Sequence, residues 1–493
     1  MTDAAAPMPD LAGIPASIPA TDPLAPYDAV LLLSYGGPRR PEDVLPFMRN
    51  ATAGRGVPDS RLLEVSGHYQ GFGGASPINA RNAELRDALQ ARLAERGSTL
   101  PVVVGNRNWH PFVSQALREL ADTGARHVLA LPTAAFGSYS GCRQYREDLA
   151  GAAALLAAGA DGSTGDGFEA DAAARVGGEG GAPVDLTVDK TRPYYNTPGL
   201  LEANVDAIVE AYGALAEQGV AAADVRLVLV THSIPLGMET GSAPTPESDG
   251  ASESAGAGQP AGRPAGPREP GVAADLSTEV SYVAQHRALA AILVPEVARR
   301  LGLEEVESDL VYCSRSGPPQ ARWLEPDVND HLEALAAGQL IDGSPADRPG
   351  GVVVAPFGFI SDHMEVVFDL DTEAAQTARD LGMPYARAAT VGTHPAFVDS
   401  LIDILIERAA VARGEDVHPA STTGVGPFHT VCPPSCCRSG THHPGRHSRH
   451  GADGATHESA TGHQPAAGGS CRPASAEPES LKPASCGRMK EKR

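Results

Sequence analysis

At 493 residues, with 42% hydrophobic residues and no apolar run near the ~18 residues of a membrane span, the chain reads as a globular protein of two or three domains, not an integral membrane protein. Its formal net charge of −22 argues against nucleic acid or an anionic membrane surface as a partner. Residues 1–26 lack the basic start and apolar centre of an export signal, which predicts a cytoplasmic protein whose seven cysteines meet a reducing environment.

In chain order, residues 1–26 read as a disordered lead-in. Strand-like runs follow at 29–33, 102–105, 127–132, 226–230, 309–312 and 352–356, each nearly all apolar, as expected of parallel strands buried on both faces. Segments with helical periodicity, such as NAELRDALQARLAERG and NDHLEALAAGQL, lie between them. This alternation predicts an α/β fold with right-handed crossovers. The length suits two Rossmann-like domains, each a parallel sheet flanked by helices: 27–200, interrupted by an insertion at 161–183, and 201–413, interrupted at 241–272. An extension over 414–437 and a Pro/His/Ser-rich tail over 438–493 follow. The insertions and the tail hold too few apolar residues to offset the entropy of ordering them, so they are expected to be disordered. From Arg438 onward nine Lys/Arg stand against five Asp/Glu, a basic end on an acidic chain. The histidines from His429 to His463 either bind surplus metal or have no function.

In open α/β folds ligands gather past the C-terminal ends of strands. The first such place is SYGGP, where Tyr35 precedes a glycine pair; it is either a ligand-facing turn or a plain strand–helix turn, and it matches no nucleotide fingerprint. HYQGFGGASPIN, residues 68–79, can lie flat against a planar ligand, and the helix opened by Ser76-Pro77 would favour a carboxylate at its free N–H groups. GNRNWHP, residues 105–111, ends another strand, with packing around Trp109 as the plainer reading. The strand RLVLV runs into Thr231-His232-Ser233, which places His232 at a strand mouth with an imidazole suited to proton transfer near neutrality. After 352–356, Glu365, Asp369 and Glu373 recur every four residues and form one stripe on a helix, straighter still if the helix widens toward π geometry. Such a stripe is either a solvated acidic face or a row of hard oxygen ligands for a divalent cation, with Ser361, Asp362 and His363 beside it.

VCPPSCC, residues 431–437, crowds Cys432, Cys436 and Cys437 together. Taken alone, the spacing suggests a metal or redox site but fits neither a zinc knuckle nor a C-x-x-C pair.

In order along residues 27–405, SYGGP, HYQGFGGASPIN, VDKTRPYYNTPGLLEANVDAI, LVTHSIP, YCSRSGPP and PFGFISDHMEVVFDLD resemble the ferrochelatase family. GSYSGCRQYRED and the CPPSCC end resemble its actinobacterial coproporphyrin branch. The resemblance implies a lyase that inserts Fe²⁺ into coproporphyrin III, held between two Rossmann-like domains, in haem biosynthesis. By that likeness His232 accepts pyrrole protons, Glu365 faces it or delivers metal, and Asp369 and Glu373 form an acidic ladder behind. Tyr35 becomes an axial contact to iron, and Arg49, Tyr69 and Ser76 contact propionates. Tyr145 and Tyr139 both suit a further porphyrin contact; His68 stands where some relatives have arginine, and Arg61 is another local positive anchor for the porphyrin carboxylates.

The likeness also implies a [2Fe–2S] cluster held by Cys142, Cys432, Cys436 and Cys437, with Cys313 as the competing fourth ligand and Cys471 and Cys486 left out. Transient contact with neighbouring enzymes of the haem pathway is implied as well. A protoporphyrin IX ferrochelatase, a cobalt or nickel chelatase and a non-catalytic porphyrin or haem carrier remain as alternatives.

Overall fold

Eight strands make two all-parallel sheets in a computed structural model that describes residues 21–54, 56–159, 182–242, 281–315, 321–433 and 436–439. The first half runs β1 (Ala29–Ser34), α1 (Val44–Ala51), α2 (Asp59–Gly71), α3 (Ile78–Glu95), β2 (Val102–Asn106), α4 (Val113–Asp122), β3 (His127–Pro132), α5 (Gln144–Ala157) and β4 (Thr187–Lys190). The second runs α6 (Pro198–Glu217), β5 (Val225–His232), α7 (Leu236–Gly241), α8 (Tyr282–Leu301), β6 (Ser308–Cys313), α9 (Val328–Ala336), β7 (Gly351–Ala355), α10 (Ala375–Asp380), β8 (Tyr385–Arg387) and α11 (Pro395–Ala412).

The sheets share one topology, β2-β1-β3-β4 and β6-β5-β7-β8. In each, the chain leaves the first strand, pairs on one side, then crosses to the other, so β1 and β5 are the switch points where a crevice opens at the strand ends. Tyr35 follows β1 and His232 ends β5, so the two residues occupy equivalent places in the halves. The six expected strands are present; β4 and β8 are additional. Both are short and lie at sheet edges, and β4 (TVDK) is polar and partly exposed, so neither carries the apolar run that marks a central strand.

Every residue of β1 and β7 is buried, which the leucine and valine runs require of strands covered by helices on both faces. α11 packs on α3 and α6 and buries Phe397, Leu401, Ile402 and Leu405, tying the two halves together. α6 spans the expected boundary between residues 200 and 201. The lead-in also ends sooner than expected: Leu24 is fully buried in the core and Asp22 accepts from the Leu24 and Thr99 N–H groups. The rest of the lead-in, most of both insertions and the tail from residue 440 lie outside the described residues.

The segment after β4 organises the extension. Arg192, 1% exposed, forms a bidentate pair with Glu407 on α11 at 2.7 and 2.9 Å and donates to the Ala420 carbonyl at 3.0 Å. Asn196 Nδ2 donates to Ser421 Oγ, Thr423 Oγ1 and the Gly426 carbonyl. Phe428 is buried with its ring edge on Tyr195. The extension is thus threaded onto the first half before it delivers its cysteines.

Candidate active site

His232 enters the site because β5 ends on it: six of the preceding seven residues are buried, and the next residues turn away. Ser233 N–H donates to the Cys313 carbonyl at 2.8 Å and Ser233 Oγ to the Leu324 carbonyl at 2.9 Å, which anchors that turn. His232 Nδ1 bonds the Ser233 carbonyl, so Nδ1 carries a proton and Nε2 faces the site. Nε2 lies 3.4 Å from Glu365 Oε1, and His363 Nδ1 lies 3.8 Å from Glu365 Oε2.

Burial pulls the His232 pKa down, but the Glu365 carboxylate more than offsets it and the net shift is upward. Burial likewise opposes ionisation of Glu365, yet the His232 charge and hydrogen bond, with His363 behind them, hold it down at about 2. Each member of the pair therefore favours the charged form of the other.

Glu365 begins a widened helix over Val366–Ala374, in which the Ala375 N–H reaches back to the Leu370 carbonyl. That widening draws residues four apart closer to line, and Glu365 and Glu373 both lie near enough to Asp369 to act on its charge. Asp369 is pushed up to about 7 by burial, with Ser314 opposing and the neighbouring Glu365 and Glu373 carboxylates adding to the rise. Glu373 is raised by burial, against the attraction of His68. Ser314, whose backbone takes the left-handed φ of +65°, donates to Asp369. It lay unmarked in the sequence; only its position after β6 and its backbone angle reveal it.

Across from this row stand residues of the first half. Tyr69 packs edge-on against Phe47, which also meets Tyr35 and Trp109. Burial raises the Tyr69 pKa, and the nearby Glu365, Tyr35 and Asp369 add to it. His68 stacks on Phe368 of the widened helix at 4.0 Å, and Phe72 meets the same ring edge-on. Tyr35 remains 39% exposed toward this space. Ser76 is buried beneath the glycine turn; a Cβ on Gly37 would lie 2.7 Å from the Ser76 Cβ, so only glycine lets the turn approach it.

Tyr145 is buried beside Tyr35 with the Arg107 guanidinium 5.6 Å over its ring, and Arg107 pairs with Asp148 at 3.0 Å. Tyr139 instead donates to Glu147 at 3.0 Å in an exposed setting. Arg49 pairs with Asp59 at 2.6 Å beside an open groove of about 410 Å³, and Arg61 pairs with Glu64 at 2.7 Å.

The cysteines gather elsewhere. Cys142, Cys432, Cys436 and Cys437 line one small cavity with Arg143, Arg146 and Lys190. Cys432 and Cys437 hydrogen-bond to the Cys142 sulfur; against burial, and with Lys190 Nζ at 3.2 Å, they hold that thiol far below its ordinary pKa. Arg146 donates to the Cys432 and Pro433 carbonyls, and Arg143 to that of Cys436. The Cys436 and Cys437 sulfurs are 3.6 Å apart, near the ~3.8 Å edge of a tetrahedron built on ~2.3 Å metal–thiolate bonds. Four soft donors flanked by cations suit an anionic iron–sulfur centre. As placed, the thiols contact one another, and among the described residues no three His, Cys, Asp or Glu side chains already form a metal-holding group. Cys313 is buried in β6 among the second half's core residues, apart from this cavity.

A family model described as Ferrochelatase matches residues 27–409. The chain is 42% identical over 415 residues to the coproporphyrin III ferrochelatase of Streptomyces coelicolor, covering 84% of this chain and 94% of that one. It is 43% identical over 413 residues to the protein of the same name from Streptomyces griseus, with 84% and 94% covered. For that of Mycolicibacterium smegmatis the identity is 39% over 414 residues, with 83% and 99% covered. Among solved structures, SirB from Bacillus subtilis with Fe³⁺ aligns with a TM-score of 0.37 at 12% identity, covering 79% of this chain and 98% of that one.

Proposed function

This chain belongs to the ferrochelatase family, and from that premise we propose that it inserts Fe²⁺ into coproporphyrin III, with release of two protons, in haem biosynthesis. Among the described residues no helix is long and apolar enough to cross a membrane. The cytoplasm is the compartment that fits a porphyrin substrate and thiols needing a reducing medium.

The observation that carries the reading is the His232–Glu365 pair with the acidic row behind it. Metallation must remove two pyrrole protons and strip water from Fe²⁺. Neutral His232 accepts a pyrrole proton at Nε2, and Glu365 stabilises the imidazolium that results, which makes His232 a stronger base than free imidazole. Glu365, ionised throughout, attracts the metal, and Asp369, held near neutrality at about 7, passes protons to solvent. Tyr35 contacts the iron side of the macrocycle, while Tyr69, Ser76, Tyr145 and Arg49 hold its rim. Arg49 reaches a propionate by exchanging Asp59 for it, an exchange of one exposed ion pair for another at little cost.

Cys142, Cys432, Cys436 and Cys437 are proposed to hold a [2Fe–2S] cluster, which supplies one-electron chemistry when bound. The surroundings of Cys142 lower its thiol pKa, and Lys190, Arg143 and Arg146 offset the charge of four thiolates. The deciding experiment is iron insertion into coproporphyrin III and protoporphyrin IX, followed by visible absorbance. Faster metallation of coproporphyrin supports the proposal; preference for protoporphyrin reassigns the substrate, and binding without acceleration makes the protein a carrier.

A further inference from the structure

Behind His232, on the face of β5 turned from the substrate, lies a closed hydrogen-bond network. Successive side chains of a strand point to opposite faces, so Thr231 points inward where His232 points out. Thr231 is fully buried, as is His286 of α8, and Tyr282 one turn earlier is 7% exposed.

The acceptors around this network fix where its histidine and threonine protons lie. His286 Nδ1 lies 2.7 Å from the Tyr282 carbonyl, which can only accept, so Nδ1 carries the proton. Burial pushes the His286 pKa down to about 3, so the ring is neutral and Nε2 offers a lone pair. Thr231 Oγ1, 2.8 Å away, donates to it. The single Tyr282 hydroxyl proton is then shared between two acceptors, Thr231 Oγ1 at 2.8 Å and the His232 carbonyl at 3.2 Å.

The network is clamped from both sides. Phe136 stacks on His286 at 3.7 Å, with the planes only 8° apart. Gly358 approaches Thr231 so closely that a Cβ there would lie 2.1 Å from Oγ1. At the start of α8, Glu239 accepts from the Val283 N–H and Gln285 bonds both the N–H and carbonyl of Gly137. Three polar side chains in an apolar core are costly unless hydrogen-bonded, and the bonds they make here restrict where the His232 peptide can sit.

We propose that Tyr282 and His286, acting through Thr231, are positioning residues that hold the His232 peptide so that Nε2 stays aimed at Glu365 and the bound porphyrin. The proposal rests on the reading of His232 as the proton acceptor. None of the three touches substrate, so their loss acts on turnover and leaves substrate binding intact.

The test uses the full chain with Thr231→Val, Thr231→Ser and Tyr282→Phe, measuring kcat and KM for iron insertion into coproporphyrin III and porphyrin affinity by fluorescence quenching. Thr231→Val and Tyr282→Phe are expected to lower kcat about tenfold to a hundredfold, with KM and porphyrin affinity within about twofold of wild type. Thr231→Ser, which keeps the hydroxyl, is expected to restore kcat to within about twofold. A kcat within about twofold of wild type in Thr231→Val overturns the proposal, as does a loss that Thr231→Ser fails to recover. If Thr231→Val does not fold, Tyr282→Phe decides by the same kcat criterion. His232→Ala separates the two readings. Wild-type turnover in it removes the proton-acceptor role itself, whereas an inactive His232→Ala beside a fully active Thr231→Val removes only the positioning role.

Discussion

His232 Nε2 stands 3.4 Å from Glu365 Oε1, a base at the end of a central strand facing a carboxylate at the start of a widened helix. Each partner sets the other's charge, which makes both chemistry and stability depend on the pair. His232→Ala is expected to abolish iron insertion while porphyrin still binds, measured by absorbance and by fluorescence quenching. Glu365→Gln should slow insertion by about a hundredfold or more, because it removes the charge that strengthens the base.

The same pair predicts a pH window for stability. The folded pKa of His232 is raised, so its contribution is complete below 6.5 and is lost as pH rises through the folded value. That of Glu365 is lowered, so its contribution is complete above 4.5 and is lost as pH falls toward about 2. The difference in thermal midpoint between wild type and Glu365→Gln should be largest between pH 4.5 and 6.5 and shrink on both sides.

Asp369 works in the opposite sense. Its folded pKa of about 7 lies above the unfolded 3.8, so stability falls as pH rises between those values. Asp369→Asn removes the penalty. It should melt higher than wild type at pH 8 and insert iron more slowly, since the proton path is broken; a lower midpoint at pH 8 would falsify the assignment.

Arg192 and Glu407 form a buried pair at 1% and 9% side-chain exposure. Arg192→Met leaves the Glu407 carboxylate without that partner and should cost about 3–5 kcal/mol in chemical denaturation. Because Arg192 also holds Ala420 and Glu407 accepts from Thr430, limited proteolysis should cut first within 414–433.

The cysteine assignment predicts iron and acid-labile sulfide in protein purified without air, with visible absorption to match. Cys142→Ser and Cys436→Ser should both lose them. Cys313→Ser should keep them, because Cys313 is buried in the core of the second half.

Much of this was legible from residue pattern. Six strands showed as apolar runs, the central β1, β3, β5 and β7 and the edge strands β2 and β6, and four-residue spacing put Glu365, Asp369 and Glu373 on one stripe. β4 and β8 were not legible, since strands of four and three residues that mix polar and partly exposed side chains are too short to leave a pattern. Nor was the lead-in's end: Leu24 is core only because α11 and the loop before β2 meet there, through Arg413 on Pro23 and Ala25 and Thr99 on Asp22.

By itself the sequence determined which side chains lie at strand ends, because strand and helix periodicity are local. It could not say whether Cys142 or Cys313 lies beside the cysteines of the extension, nor link Thr231 to Tyr282 and His286. Those choices depend on contacts 55 residues apart within the second half, and 286 to 293 residues apart where Arg143 and Arg146 meet the extension. Only packing brings such groups together, since the chain between them carries no periodicity that spans the gap. The direction of the His232 pKa shift was likewise undecided until folding set Glu365 against it, because a pKa depends on the surroundings as well as on the residue.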